Sequence, residues 1–225
     1  MDTDVLRRAP LFASLDDEAF AALTKEITEV DLSRGATLFH EGDPGDQLYF
    51  IVSGKIKLGR TASDGRENLV AVMGPGEIFG EMALFDPSPR STSATAVSET
   101  RLAGLKHENL RKVIQHSPEV SAQLLQALAR RLRRTNENLA DLVFSDVPGR
   151  VAKALLDLAD RFGRPATDGI LVAHELTQEE LAQLVGASRE TVNKALAEFV
   201  QRGWIRLEAR AVVILDLQRL RQRSR

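Results

Sequence analysis

The chain has 225 residues, enough for one large domain or two small ones. Apolar residues make up 43% and charged residues 28%, so it can build ordinary cores and is not disordered by composition. It contains no Cys, which excludes disulfides, thiolate metal sites, Cys-ligated iron–sulfur clusters and Cys nucleophiles. No apolar run approaches the roughly 20 residues that span a bilayer, and the opening MDTDVLRRAPLF lacks the continuous apolar stretch of a signal peptide. The expectation is a soluble cytoplasmic protein without a membrane partner.

The net charge of −2 hides an asymmetry. Residues 1–110 carry 11 Lys and Arg against 18 Asp and Glu, whereas residues 181–225 carry 9 against 4. An acidic front and a basic end fit two separate tasks, the end facing a polyanion, or simply an uneven solvated surface.

A short helix is expected from Asp16 to about Ile27, with Phe20, Leu23 and Ile27 at helical spacing. Residues 29–106 have another texture. Short β-branched or aromatic runs (Leu48–Val52, Lys55–Leu58, Leu69–Met73) are separated by glycine turns such as Pro44-Gly45, Ser53-Gly54 and Asp64-Gly65. Many short strands at this spacing read as an antiparallel barrel or sandwich. From Ser117-Pro118 to about Phe144 one long helix follows, free of Gly and with Pro only at its first position. Its residues Leu125, Leu128, Leu132, Thr135, Leu139 and Leu142 keep the heptad rhythm of a dimer coil, the alternative being a helix lying on its own barrel. Thr135, the polar residue of that seam, either fixes register or touches something else.

Ser145–Gly149 breaks the helix and reads as a hinge. A helix from about Pro148 to Phe162, a loop over Gly163–Asp168 and a short strand at Ile170–Val172 come next. Two helices, Thr177–Val185 and Ser188–Arg202, are joined by Gly186-Ala187, where Gly186 can take the positive φ of a tight corner. This is a helix-turn-helix, whose second helix enters the major groove N-terminus first. Val192, Leu196 and Phe199 form its buried stripe, leaving Arg189, Glu190, Asn193 and Lys194 facing outward. Arg can bind guanine with two hydrogen bonds and Glu can accept from cytosine. Thr177, Gln178, Ser188 and Thr191 suit phosphate contacts at the helix N-termini. Trp204–Leu207 and Val212–Leu215 complete a winged version, followed by Arg219, Arg221, Arg223 and Arg225, to which only a non-specific electrostatic role is assigned.

At Gly80-Glu81-Met82-Ala83-Leu84-Phe85, followed by Arg90-Ser91, the sequence looks like a cyclic-nucleotide-binding cassette. Joined to the GASRETVNK element at Gly186–Lys194, the whole chain resembles the cyclic AMP receptor protein branch of the CRP/FNR family of bacterial transcription regulators, its actinobacterial members closely. The resemblance implies an α+β architecture. An N-terminal antiparallel β-roll or jelly-roll cyclic-nucleotide-binding domain covers 1–116, a dimerisation helix and hinge 117–145, and a winged helix-turn-helix DNA-binding domain 146–225. It also implies cyclic AMP as effector rather than catalytic cofactor, a homodimer, double-stranded DNA with half-sites of the form TGTGA, and RNA polymerase as partners.

In such a site Arg90 offers a fork of donors to the cyclic phosphate, with Ser91 and Met82 alongside. Glu81 accepts from the ribose 2′-hydroxyl and Gly80 lets the backbone approach the sugar. The family pattern places Arg131 and Thr135 on the ligand of their own subunit and Asn136 on the adenine bound by the partner. Without the barrel, Gly80-Glu81 and a distant Arg90 would read as a loop with a surface ion pair.

Two departures stand out. The Glu81–Arg90 loop, with Pro87 and Pro89, is about one residue shorter than in enterobacterial relatives. Lys194 stands where many relatives have Arg and cannot make the planar two-bond contact. His40, His107, His116 and His174 lack ligand spacing, so no metal is expected. The competing functions are a nucleotide sensor acting on a protein partner and a regulator responding to another effector. An enzyme is disfavoured by the lack of Walker, HExxH and GxSxG motifs.

Overall fold

The structure, a computed structural model, describes residues 6–7, 10–13 and 15–224, with only the backbone at 10, 11 and 116. The opening segment weighed for a leader falls mostly outside the described residues, as does Arg225. The chain divides into two compact units, Met1–Arg60 with Ala71–Arg134, and Thr61–Val70 with Thr135–Arg225.

In the first unit, helices α1 (Pro10–Ala13) and α2 (Asp17–Lys25) precede the strands. Asp16 caps α2 by accepting from the Ala19 N–H at 2.7 Å. Strands β1 (Thr28–Leu32), β2 (Thr37–Phe39), β3 (Gln47–Ser53), β4 (Ile56–Thr61), β5 (Glu67–Met73), β6 (Ile78–Phe79), β7 (Ser93–Ala96) and β8 (Thr100–Lys106) follow, with the four-residue helix α3 (Met82–Phe85) between β6 and β7. They form two four-stranded sheets, in the orders β1-β8-β3-β6 and β2-β7-β4-β5. The continuous apolar run of β3 now has its cause. Leu48 and Phe50 pack towards Leu23, Leu110 and Leu124, while Tyr49 and Ile51 pack with Ile56, Leu58, Phe79 and Ala94. A strand buried on both faces cannot alternate with polar residues.

The turn between β3 and β4 needs its glycine. Gly54 has φ +84°, and a Cβ there would lie 2.2 Å from the Glu99 carbonyl oxygen. Gly54→Ala should cost about 2–4 kcal/mol of stability, combining backbone strain with a steric clash. Thermal or urea unfolding of the variant checks this, and an unchanged midpoint would refute it.

Helix α4 (His107–His116), which the sequence pattern did not foretell, leads into α5 (Pro118–Phe144). The long helix packs on its own unit over its first turns. Val120 and Leu124 bury it against its own unit, yet Leu125, Leu132 and Leu139 remain about three-fifths exposed, at 61%, 62% and 61%.

The second unit starts within α5, and Ser145 and Asp146 alone separate that helix from α6 (Val147–Phe162). Asp146 caps α6 through the Gly149 N–H at 2.9 Å, and Arg150 donates to the Ser145 and Val185 carbonyls at 2.8 and 2.9 Å. The expected loop after α6 is in fact a hairpin of β9 (Gly163–Ala166) and β10 (Gly169–Val172). β9 is an edge strand, where Pro165 is tolerated despite lacking an N–H. Helices α7 (Gln178–Val185) and α8 (Arg189–Gln201), then β11 (Ile205–Glu208) and β12 (Ala211–Ile214), complete the winged unit, with sheet order β11-β12-β10-β9. Gly186 takes φ +64° at the α7–α8 corner, and Phe199 stacks on Trp204 at 5.4 Å. The basic end is no loose tail but a final helix, α9 (Leu217–Arg223), anchored by fully buried Leu220. Arg223 pairs with Asp146, Nη2 to Oδ2 at 2.6 Å, while Arg219 and Arg221 are exposed.

Candidate ligand pocket and nucleic-acid interface

The pocket is built where β6 turns into α3. Gly80 sits there at φ +79°, and a Cβ would lie 2.7 Å from Arg90 Nη1 and 3.0 Å from the Gln47 carbonyl oxygen. Arg90, although formally a surface residue type, is only 7% exposed. Its Nη1 donates to the Gly80 carbonyl at 3.0 Å and its Nη2 to the Gln47 carbonyl at 2.8 Å. The guanidinium also lies 4.2 Å from the centre of the Phe39 ring. Burial draws its pKa below the ordinary arginine value, opposed by Tyr49, Asp46, Glu81 and Asp43; the side chain stays cationic at neutral pH.

Glu81 is 2% exposed and accepts from Arg131 Nη1 at 2.7 Å through Oε1. Arg131 Nη2 donates to the Ile78 carbonyl at 3.3 Å, so α5 is tied to this carboxylate from a fixed place. Two buried polar atoms are left over. Glu81 Oε2 accepts from no protein donor, and Arg90 Nε has no protein acceptor. Beside them is a cavity of about 200 Å³, lined by Phe39, Gly80, Met82, Arg90, Ser91 and Arg131 among others. Arg90 lines this cavity, and Glu81, outside the lining, is bonded to the lining residue Arg131; a cationic fork with a carboxylate close by matches a ligand carrying an anionic phosphate and a hydroxyl.

Five of the eight sequence-proposed ligand residues, Gly80, Met82, Arg90, Ser91 and Arg131, therefore line one cavity, and Glu81 is hydrogen-bonded to Arg131 beside it. Thr135 and Asn136 fall in the second unit, are exposed, and do not line it. Sequence reasoning missed Phe39, the Gln47 carbonyl and His107, whose Nε2 lies 3.2 Å from the Gly80 oxygen.

In the second unit, Thr177 and Glu180 form a reciprocal capping box, with bonds of 3.1 and 2.7 Å. Ser188 Oγ accepts from the Thr191 N–H at 3.2 Å and lies 2.9 Å from Thr191 Oγ1. These hydroxyls serve the helix ends first, which fixes the start of α8. Gln178, Arg189 and Glu190 are exposed on the two first turns. Lys194 pairs with Glu190 at 2.9 Å, both largely exposed. Asn193 departs from the expectation that it faces outward. It is half-buried, and its Oδ1 is buried without a hydrogen-bond partner, because α8 turns that flank towards the interior beside Val192 and Leu196.

Residues 29–117 match the cyclic nucleotide-binding domain family and residues 149–223 the Crp-like helix-turn-helix domain family. A CRP-like cAMP-activated global transcriptional regulator of Mycobacterium tuberculosis is 59% identical over 222 residues, covering 99% of each chain. The chain belongs to the CRP/FNR family. The cyclic AMP receptor protein of Thermus thermophilus is 37% identical, over 94% of this chain and 97% of that one. Among solved structures, the c-di-GMP responsive global regulator CLP of Xanthomonas campestris aligns with TM-score 0.76 and 26% identity, over 88% of this chain and 99% of the other. The CRP/FNR fold class is thus the α+β arrangement expected from the sequence. Among the described residues no three His, Asp or Glu come together to hold a metal. His174 instead accepts from the Leu176 N–H at 3.1 Å inside the winged unit.

Proposed function

We propose that the chain is a cyclic AMP-responsive transcription regulator, not an enzyme, acting as a homodimer on two-fold symmetric DNA. The observation that carries this reading is the cavity of about 200 Å³ lined by Arg90, Ser91 and Arg131, with the carboxylate of Glu81 held by Arg131 at its edge. Glu81 Oε2 accepts from the ribose 2′-hydroxyl. Arg90, with Ser91, meets the cyclic phosphate, and Gly80 and Met82 shape the sugar side. Arg131 holds Glu81, while Thr135 and Asn136 read adenine. The names of the relatives from Mycobacterium tuberculosis and Thermus thermophilus point to the same effector.

The exposed seam leucines Leu125, Leu132, Leu139 and Leu142 take a second copy of α5. In the domain scheme, 1–116 binds the nucleotide, 117–145 joins the protomers and 146–225 binds DNA. Arg189, Glu190 and Lys194 face base edges, while the half-buried Asn193 supports that flank of α8; Thr177, Gln178, Ser188 and Thr191 face phosphates. RNA polymerase is the protein partner and the cytoplasm the compartment. No helix among the described residues is long and apolar enough to cross a membrane.

The deciding experiment is a titration of the full chain on a TGTGA palindrome without nucleotide and with cyclic AMP, cyclic GMP or cyclic di-GMP. Tighter DNA binding with cyclic AMP alone supports the proposal. A response confined to cyclic di-GMP, the effector in the name of the Xanthomonas regulator, overturns the choice of effector. No DNA binding under any condition favours a sensor with a protein partner.

Adenine selectivity gives a separate prediction. Thr135→Ala with Asn136→Ala should weaken cyclic AMP more than cyclic GMP, by about 1–2 kcal/mol, the scale of one or two hydrogen bonds. Calorimetry with both nucleotides, alongside a mass measurement of the dimer, decides it. Equal weakening would make both residues dimer contacts.

A further inference from the structure

We propose that His107 is a positioning residue for the cyclic phosphate: through Gly80 it sets the place of the Arg90 guanidinium. The inference rests on the reading of the pocket as a cyclic nucleotide site. His107 is 7% exposed and begins α4, away from the motif that carries Arg90. Its Nε2 lies 3.2 Å from the Gly80 carbonyl oxygen, which also receives Arg90 Nη1 at 3.0 Å. A carbonyl oxygen only accepts, so Nε2 carries the proton and donates. Two donors thus converge on one oxygen, matching its two lone pairs and fixing its direction.

The second anchor of Arg90 leads back to the same residue. Nη2 of Arg90 donates to the Gln47 carbonyl at 2.8 Å, and the His107 backbone N–H donates to the neighbouring Asp46 carbonyl at 2.8 Å. Lys106, immediately before His107, stands opposite Gln47 in the β3–β8 register. The His107 junction therefore holds the Gly80 carbonyl directly through its side chain, and through its backbone it holds the Asp46 carbonyl, one residue before the Gln47 carbonyl that takes the second Arg90 bond. Arg90 binds the backbone before any ligand arrives. Its remaining donors, Nε among them, keep a set direction, and such preorganisation raises affinity for an anion placed against them. Burial, foremost, draws the His107 pKa below the ordinary histidine value; the Gly80 bond opposes this, and Arg90 acts in the same sense as burial.

The test compares cyclic AMP with adenosine, which keeps the base and ribose but lacks the phosphate, by calorimetry and competition on the full chain. His107→Leu removes the donor; His107→Gln places an amide nitrogen near the position of Nε2 and keeps it. The expected result is a roughly tenfold loss of cyclic AMP affinity in His107→Leu, wild-type affinity within about twofold in His107→Gln, and unchanged adenosine binding in both. Equal losses in the two variants, or adenosine weakened as much as cyclic AMP, would reduce His107 to a packing residue and overturn the proposal. Should His107→Leu not fold, the nitrogen-15 spectrum of the wild-type imidazole decides alone. A proton on Nε2 that shifts when cyclic AMP binds, and not when adenosine does, supports the assignment; a proton on Nδ1 alone overturns it. Arg90→Ala serves as reference. Wild-type cyclic AMP affinity in that variant would overturn the reading of the pocket itself, a failure separate from that of His107.

Discussion

Arg90→Ala should weaken cyclic AMP by about 2–4 kcal/mol, the cost of removing a desolvated charge-assisted contact. That is roughly a 30-fold to several-hundred-fold rise in Kd. Its size follows from burial: the side chain is 7% exposed, so bulk water cannot take over as counter-charge for the phosphate. The structure adds a second consequence that the motif alone does not carry. Removing the guanidinium leaves the Gln47 carbonyl without its 2.8 Å donor and Phe39 without the cation 4.2 Å from its ring centre. The motif by itself predicts little change in folding. Because the Gln47 carbonyl and the Phe39 ring both depend on Arg90, stability should instead fall by about 1–3 kcal/mol. Calorimetry and thermal unfolding must therefore be run on the same preparation. Arg90→Lys separates the two effects, since lysine keeps the charge and loses the planar fork. A folded Arg90→Ala chain with near wild-type affinity would remove Arg90 from the site.

What the sequence disclosed, it disclosed through local chemistry. Thr177 and Ser188 announce the starts of α7 and α8 because capping needs only neighbours in the chain, and both caps are present. Gly186 announces the corner because positive φ is a property of one residue. The run Leu48–Val52 marks a strand, though only the structure shows that two sheet faces, not one, require its apolar residues. Legibility ends where the cause is tertiary. The β9 strand contains Gly163 and Pro165, which read locally as loop; pairing with β10 overrides that preference. The short helix α9 is anchored by Leu220 and the Arg223–Asp146 pair, a partner 77 positions away. Arg90 was visible as a charge in a motif. Its anchors were not, because Gly80 and Gln47 act through backbone carbonyls, which carry no side-chain signature. His107 had no partner at any recognisable spacing, and its role comes only from where the β8–α4 junction falls.

Arg189→Ala should cost about 1–3 kcal/mol per half-site and relax the preference for one guanine, as expected for a bidentate base contact. A two-fold operator contains the contact twice, so the loss on the full palindrome is about 2–6 kcal/mol where the two sites act independently. The placement of Arg189 follows from the cap: Ser188 holds the Thr191 N–H, making Arg189 the first helical residue of α8, exposed to solvent. Its neighbours set the contrast. Glu190 and Lys194 satisfy one another at 2.9 Å on the exposed face, so a base contact by either must displace the other. Lysine also lacks the planar fork, which leaves Arg189 as the residue of α8 suited to two bonds on guanine. Thr191, whose hydroxyl lies 2.9 Å from Ser188 Oγ at the helix start, is proposed for phosphate contact. Thr191→Ala should weaken cognate and scrambled DNA alike, and Arg189→Ala should weaken cognate DNA selectively. The measurement is a binding series on half-site variants at fixed salt, because the phosphate contribution varies steeply with ionic strength. A uniform loss across all sequences for Arg189→Ala would make Arg189 a backbone contact and move base reading to Glu190 and Lys194.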